Sequence, residues 1–428
     1  MSGRLTGAVL EAAWRGIGGI ATAFARGALL LGKLEDPADL SERLVRGPVP
    51  LPPGEGPLAW LHGASLGEVA ALAPLARELS ARRPDLRLLV TTQTRTGRER
   101  AAREGWTVRL APLDAGGPLA RFLAAVRPAI HVVVETEIWP RRLAILDRAG
   151  IPAALVSARI SPEREARYRR LRSLYARSLA RLRLVAPASP ADRDRLLALG
   201  LPADALGPTG NLKWDAVPDP GPGAMERARA LLADMGLAGD AAVVLLASVH
   251  PGEAGPVVRA LAESPGGESA RCVVAPRHPE RFDRVAAELA AAGYPPHRAS
   301  AGPAPPGARV VLLDRLGVLR DLFPAAGASL LGGTLVPVGG HSPLEAAAAG
   351  CPVVAGPHVH HQEDLVVALA AAGGLVRVED AATAGRTLAR WLADPADRER
   401  AARGAREAVA RHRGTAARLA DLLAGWLP

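Results

Sequence analysis

A chain of 428 residues exceeds what one ordinary core holds and calls for two domains of roughly 200 residues each. Its 49% apolar content excludes a disordered chain, and its two cysteines exclude a disulfide framework and fit a reducing compartment. The net charge of +10 raises an anionic partner, but Lys33 and Lys213 are the only lysines, the arginines are spread over helix faces, and no DNA- or RNA-binding motif accompanies them. An anionic membrane surface therefore remains among the expected partners and nucleic acid does not.

Residues 1–33 place Arg4, Glu11, Arg15, Thr22, Arg26 and Lys33 at spacings of 7, 4, 7, 4 and 7. At about 100° per residue these share one narrow sector of a helix. Leu5, Leu10, Trp14, Ile17, Ile20 and Phe24 occupy the remainder. Glu11, Arg15 and Arg26 argue against a membrane span. The wide apolar face and thin cationic strip predict a helix in a bilayer interface, or one packed on the protein's own surface. No cleavable leader is legible. Residues 34–57, ending in PVPLPPGEGP, read as a linker into a first domain at 58–210.

The apolar run Leu58-Ala59-Trp60-Leu61 predicts a strand, and Val69, Leu72, Leu75, Ala76 and Leu79 a helix. Between them lies HGASLGE, residues 62–68. Strand, glycine turn and helix present a helix N-terminus to a ligand. Glu68 already brings a carboxylate there, which free N–H groups and the helix dipole are expected to hold ionised. Two readings fit it: a charge that stabilises its own helix, or a base at the mouth of a cleft. Further strands are expected at 86–91, 108–112, 130–134, 153–157 and 182–186. The third of these ends in ETEIWP, so Glu135 and Glu137 stand at the ligand-facing end of a strand, on one side if the strand persists. Residues 208–222 are proline-flanked and read as the interdomain connection. They hold Lys213, a lysine kept in a chain that otherwise writes arginine, as a site needing a compact point charge would require.

A second strand series is expected at 242–248, 272–276, 309–313, 328–331, 352–355 and 375–378. ASVHPGE (247–253) and APRHPERF (275–282) follow the first two strands, and Arg277 is placed to clamp a phosphate. Gly332-Gly333-Thr334 and GGHSPLE (339–345) lead into an alanine helix. There the amides of Gly339 and Gly340 are expected to approach a phosphate, and Glu345 to accept from ribose hydroxyls. His358, His360 and His361 invite a zinc reading, but no companion ligand pair completes a set, so no metal is expected. A helical stretch at 397–427 closes the second domain, 211–428, or returns to brace the first. Apolar strands alternating with helices predict an α/β fold of two Rossmann-like parallel-sheet domains facing a central cleft.

In order, HGASLGE, TTQTRTG, ETEIWP, ARISPER, TGNLKWD, ASVHPGE, APRHPERF and GGTLVPVGGHSPLEAAAAGCPVVAGPH resemble the 3-deoxy-D-manno-octulosonic acid (Kdo) transferases of lipopolysaccharide assembly. The likeness runs from about residue 58 to 364. It implies a GT-B fold and an inverting, metal-independent glycosyltransferase without cofactor. Such an enzyme moves Kdo from CMP-Kdo to a tetraacylated lipid A precursor (lipid IVA) at the cytoplasmic face of the inner membrane, as a peripheral or monotopic protein. It implies Glu68 as general base, Glu135 and Lys213 as transition-state stabilisers, and CMP binding by Pro276, Arg277, Leu316, Gly317, Val318, Ser342, Pro343, Leu344 and Glu345. Two positions depart from the family pattern: Val318 stands where it has Glu, and Ser342 where it has Asn. A glycosyltransferase of the same fold using a UDP-sugar, and a non-catalytic nucleotide-sugar binder, are the competing readings.

Overall fold

A computed structural model describes residues 9–14, 16, 37–239 and 242–428. They form two compact units, the first running to residue 216 and resuming at 412–428, the second comprising Val217–Arg411.

The first unit is built on six parallel strands: β1 (Leu58–His62), β2 (Arg87–Thr92), β3 (Thr107–Leu110), β4 (Ile130–Val134), β5 (Ala153–Ala158) and β6 (Leu184–Pro187). Their order is β3-β2-β1-β4-β5-β6. Successive side chains alternate between the faces of the sheet. Leu61, Val132, Val134 and Val156 meet helix α1 (Leu66–Arg82) and the last helix, Thr415–Ala424. Trp60, Val133 and Leu155 instead meet Phe122 and Leu143, the latter on α2 (Pro140–Arg148). With both faces covered, polar groups are left to the strand ends. The strand order reverses between β1 and β4, which opens a crevice at their carboxyl ends, and HGASLGE and ETEIWP flank it.

The second unit carries seven parallel strands: β7 (Val243–Val249), β8 (Arg271–Pro276), β9 (His297–Arg298), β10 (Val310–Leu312), β11 (Ala328–Leu331), β12 (Val353–Ala355) and β13 (Leu375–Arg377). Their order is β13-β12-β11-β7-β8-β10-β9, so the reversal lies between β11 and β7. Sequence reasoning misses β9, whose two residues pair only along the edge of β10. Such a length carries no periodicity.

Three boundaries differ from expectation. The segment 34–57 contains a helix, Pro37–Arg43, tied down where the Leu110 amide donates to Glu42 Oε1 at 2.8 Å. Residues 211–216, including the short helix α3 (Lys213–Ala216), belong to the first unit. The stretch 397–427 is two helices, Pro395–His412 and Thr415–Ala424, broken at Gly414 with φ +88°. Its second half lies in the first unit, the return being one of the two arrangements expected. Tertiary contacts place both the 211–216 segment and the last helix. Asp215 accepts from Gly414 N at 2.6 Å and Ala416 N at 3.0 Å, satisfying the open end of the last helix, while Trp214 stacks on His412 with centroids 4.8 Å apart. Gly210 lets the two segments touch, since a Cβ there would lie 2.3 Å from Thr415 Oγ1. The amphipathic helix expected over 1–33 falls mostly outside the described residues. Within them, Trp14 Nε1 donates to Asp114 Oδ2 at 3.0 Å. No helix among the described residues is long and apolar enough to cross a membrane.

Because Asp215 caps a helix from a distant segment, Asp215→Ala is expected to cost about 1–2 kcal/mol, read from urea unfolding of the full chain. An unchanged midpoint would remove Asp215 from the account of the last helix.

Candidate functional site

In the first unit, Ser65 is the N-cap of α1 and Glu68 stands in its first turn. Ser65 Oγ accepts from Glu68 N at 3.3 Å and donates to Glu68 Oε1 at 3.0 Å, while Ala64 N donates to Glu68 Oε2 at 2.8 Å. This is a variant of the capping box, with the acid reaching one residue further back than usual. Among the described residues no cation pairs with Glu68. Burial and the neighbouring Glu135 and Glu137 push its carboxyl up to about 7, outweighing the hydrogen bonds from Ala64 and Ser65. The expectation of a firmly ionised Glu68 is thereby corrected. Desolvation and two like charges exceed what a helix N-terminus supplies, and the group is balanced between its two forms near neutrality.

β4 ends at Val134, so the alternation that would align Glu135 with Glu137 stops there. Glu135 turns the chain with φ +63°, in the left-handed region a β-carbon disfavours. Its Oε1 lies 2.6 Å from Lys213 Nζ. Burial works to raise the Glu135 carboxyl, but Lys213 and Arg159 outweigh it and hold it below the usual range. Glu137 goes elsewhere, accepting from Trp139 Nε1 at 2.5 Å and facing His62 Nε2 at 3.4 Å. His62 is fully buried, which with Arg142 nearby pulls it down to about 4, so its ring is neutral at pH 7. Thr91 Oγ1 accepts from Trp60 Nε1 at 2.8 Å and donates to His62 Nδ1 at 2.8 Å, leaving His62 Nε2–H to donate to Glu137. Of three neighbouring glutamates, one is paired with lysine and lowered, one is lowered by His62, Trp139 and Arg142, and only Glu68 has its carboxyl raised. His62, Thr91 and Trp60 escaped the sequence reading, because nothing in their spacing shows that strands β1 and β2 set them side by side.

In the second unit, Glu253 heads α4 (Ala254–Ala262) and is wholly buried. Its carboxylate accepts from His250 N and Gly333 N at 2.8 Å, Leu335 N at 2.9 Å and Thr334 N at 3.1 Å. One side chain thus binds the loop after β7 to the loop after β11, across the reversal point. Gly332 permits this approach, for a Cβ there would lie 2.3 Å from the Ser248 carbonyl. The glycine loop differs from expectation. The amides of Gly339 and Gly340 donate to the Gly333 carbonyl at 3.1 and 2.9 Å, so they are not free to meet a phosphate. His360 and His361 pack against Gly339, where a Cβ would meet their ring nitrogens at 2.5 and 2.6 Å.

Pro276 ends β8 buried, and Arg277 projects exposed just beyond it, its amide donating to the Val249 carbonyl at 3.1 Å. Leu316 is 71% exposed, Gly317 has φ +85°, and Val318 caps a short helix, Leu319–Leu322. Ser342, Pro343, Leu344 and Glu345 run from the loop into α5 (Leu344–Ala348). Glu345 lines a cavity of about 240 Å³ with Asp219, Arg227, Arg320 and Asp321. His341, Ser342 and Pro343 line a smaller one of about 30 Å³ beside Ser248.

A family model described as 3-deoxy-D-manno-octulosonic-acid transferase matches residues 38–216. The Kdo transferase of Bordetella pertussis is 35% identical over 410 residues, covering 91% of each chain. That of Haemophilus influenzae is 32% identical over 386 residues, covering 88% of each. The chain belongs to the Kdo transferase family. The fold agrees: a glycosyltransferase from Rickettsia africae superposes with a TM-score of 0.58 at 12% identity, covering 87% of this chain and 98% of that one. The chain is accordingly a glycosyltransferase of GT-B type.

The electrostatics of the three glutamates predict two opposite pH effects. Lys213→Met leaves buried Glu135 without its ion-pair partner, with only Arg159 nearby, and is expected to cost about 3 kcal/mol at pH 7. Since Glu135 is depressed in the folded state, that deficit is present above the ordinary carboxylate range and fades as acid protonates the group; urea melts at pH 7 and pH 4 would show it. Glu68 is raised instead, so its ionisation opposes folding as pH climbs from the ordinary carboxylate range through about 7. Glu68→Gln should raise Tm at pH 8 and leave it unchanged at pH 4. Equal shifts at both values would contradict the elevated carboxyl.

Proposed function

We propose that this transferase moves Kdo from CMP-Kdo to a hydroxyl of the lipid A precursor lipid IVA, with inversion at the anomeric carbon and Glu68 as general base. The observation that carries the reading is the Glu68 carboxyl at about 7, unpaired by any cation among the described residues, at the β1–β4 crevice. A base with that affinity for protons is ionised in useful amount at neutral pH and still strong enough to accept one. Glu68 takes the acceptor hydroxyl proton as the oxygen bonds to the anomeric carbon, and the electron pair of the breaking bond leaves with the CMP phosphate. The Glu135–Lys213 pair stabilises the charge that develops, and Arg277 receives the phosphate. Donor contacts fall to Pro276, Leu316, Gly317, Val318 and to Ser342 through Glu345. The amides of Gly339 and Gly340 take no part, being bonded to Gly333. This arrangement needs neither metal nor cofactor.

The basic chain suits an anionic membrane surface, where the phosphorylated acceptor resides. We place it at the cytoplasmic face of the inner membrane, held peripherally.

Wild-type enzyme given CMP-Kdo and lipid IVA is expected to yield a product heavier by Kdo, as mass spectrometry would show, with EDTA leaving the rate unchanged. Competition by UDP rather than CMP would overturn the donor assignment. Glu68→Gln should lower kcat about 10²–10⁴-fold while CMP binding by calorimetry is retained. In the wild type, kcat should rise with pH through about 7 and then level, as an ionised base requires; a rate flat from pH 6 to 8 would exclude Glu68 as that base.

A further inference from the structure

Three loops of the second unit converge on one hydrogen-bonded series. Arg281, at the end of the 3₁₀ turn Pro279–Arg281 beyond β8, bonds through Nη1 to Nδ1 of His250, which follows β7. His250 Nε2 lies 3.0 Å from His341 Nε2, in the loop after β11, and the two rings are near-parallel at 11°. Only one assignment of protons satisfies this series. A guanidinium has donors and no acceptor, so His250 Nδ1 must accept. A neutral His250 then carries its proton on Nε2 and donates it to His341 Nε2. His341 must therefore hold its own proton on Nδ1, the nitrogen turned away from the series.

Both rings are neutral at pH 7: burial, with Arg277 and His250 beside it, brings His341 down to about 4, and His250 is lowered by burial and by Arg281 and His278. His361 also faces His341, and the Glu253 carboxylate accepts from the His250 backbone, so cations and one carboxylate surround the pair. His341 adjoins Ser342 and lies near Arg277, and these residues line or neighbour the expected nucleotide positions. The amides of Gly339 and Gly340 are already bonded within the loop, so the departing phosphate depends on side-chain donors.

We propose that His341 donates its Nδ1–H to a phosphate oxygen of the departing nucleotide, with His250 and Arg281 as positioning residues that fix its tautomer. This rests on the proposed CMP-sugar reaction and adds a phosphate ligand to it. A neutral donor whose proton is fixed on Nδ1 by its neighbours strengthens its bond as negative charge accumulates on that oxygen, an effect worth about 10²-fold in kcat for one donor.

Two side-chain amides distinguish this from a structural role. The Asn amide nitrogen falls where His Nδ1 was, and the Gln amide nitrogen where Nε2 was. His341→Asn should keep kcat within about fivefold of wild type, whereas His341→Gln and His341→Ala should lose about 10²-fold, all three retaining the wild-type Tm within a few degrees. If His341 serves only to pack against His250, Gln outperforms Asn, and that order would overturn the proposal. An independent reading comes from ¹⁵N NMR of histidine-labelled wild type at pH 7: His341 should show the Nδ1–H tautomer and His250 the Nε2–H tautomer. The reverse assignment would also overturn it, whether or not any variant folds. A wild-type enzyme inactive with CMP-Kdo would instead defeat the donor reading, while the tautomer measurement still judges the histidine series by itself.

Discussion

The candidate site residues of this molecule gather around the places where a parallel sheet reverses its strand order. Each sheet is covered by helices on both faces, so side chains on strands have mostly apolar company and the ligand-facing chemistry is driven to the strand ends. Most carboxyl ends are closed by the following loop. At β1–β4 and β11–β7 the chain departs in opposite directions, and the gap between adjacent loops stays open. HGASLGE and ETEIWP border the first gap, ASVHPGE and the Gly332–Glu345 segment the second.

Open gaps need their walls held, and the two units use carboxylates differently to do so. Glu253 is spent entirely on structure: four backbone N–H groups from two loops converge on it, and burial closes it from solvent. The gap in the first unit holds three glutamates, and their partners set them apart. Lys213 keeps Glu135 charged, and the series from Trp60 through Thr91 and His62 supports Glu137. Glu68 receives only two local hydrogen bonds and bears the repulsion of both neighbours, so it alone holds its proton to about 7. Environments that push like groups apart in proton affinity are how one fold assigns different tasks to identical side chains.

Part of the backbone strain sits at the same places. Glu135 and Ser248 take left-handed conformations at the ends of β4 and β7, and the pairing of β7 with β8 shifts register between Ala247 and Val249. Such conformations persist where surrounding contacts over-determine them. Here they re-aim the chain just as it leaves the sheet, at the edge where ligands of α/β folds bind.

Much was determined by the sequence alone, because the relevant forces are local. Apolar runs separated by helical patterns located twelve of the thirteen strands among the described residues within a residue or two, and the strand, glycine turn and helix of residues 58–79 placed the Glu68 carboxylate in a helix's first turn. The eight motifs in order carried the family. What depended on residues far apart in the chain was decided only by the tertiary structure. The last helix joins the first unit because Asp215, some two hundred residues earlier, caps it. Glu68 is held partly protonated near pH 7 by burial and by Glu135 and Glu137, from the loop after another strand, although its own helix favours its charge. The glycine-loop amides are consumed by Gly333, and the tautomer of His341 is set by an arginine beyond a different strand. Proton affinity and hydrogen-bond satisfaction are sums over neighbours in space, and no spacing along the chain contains those sums.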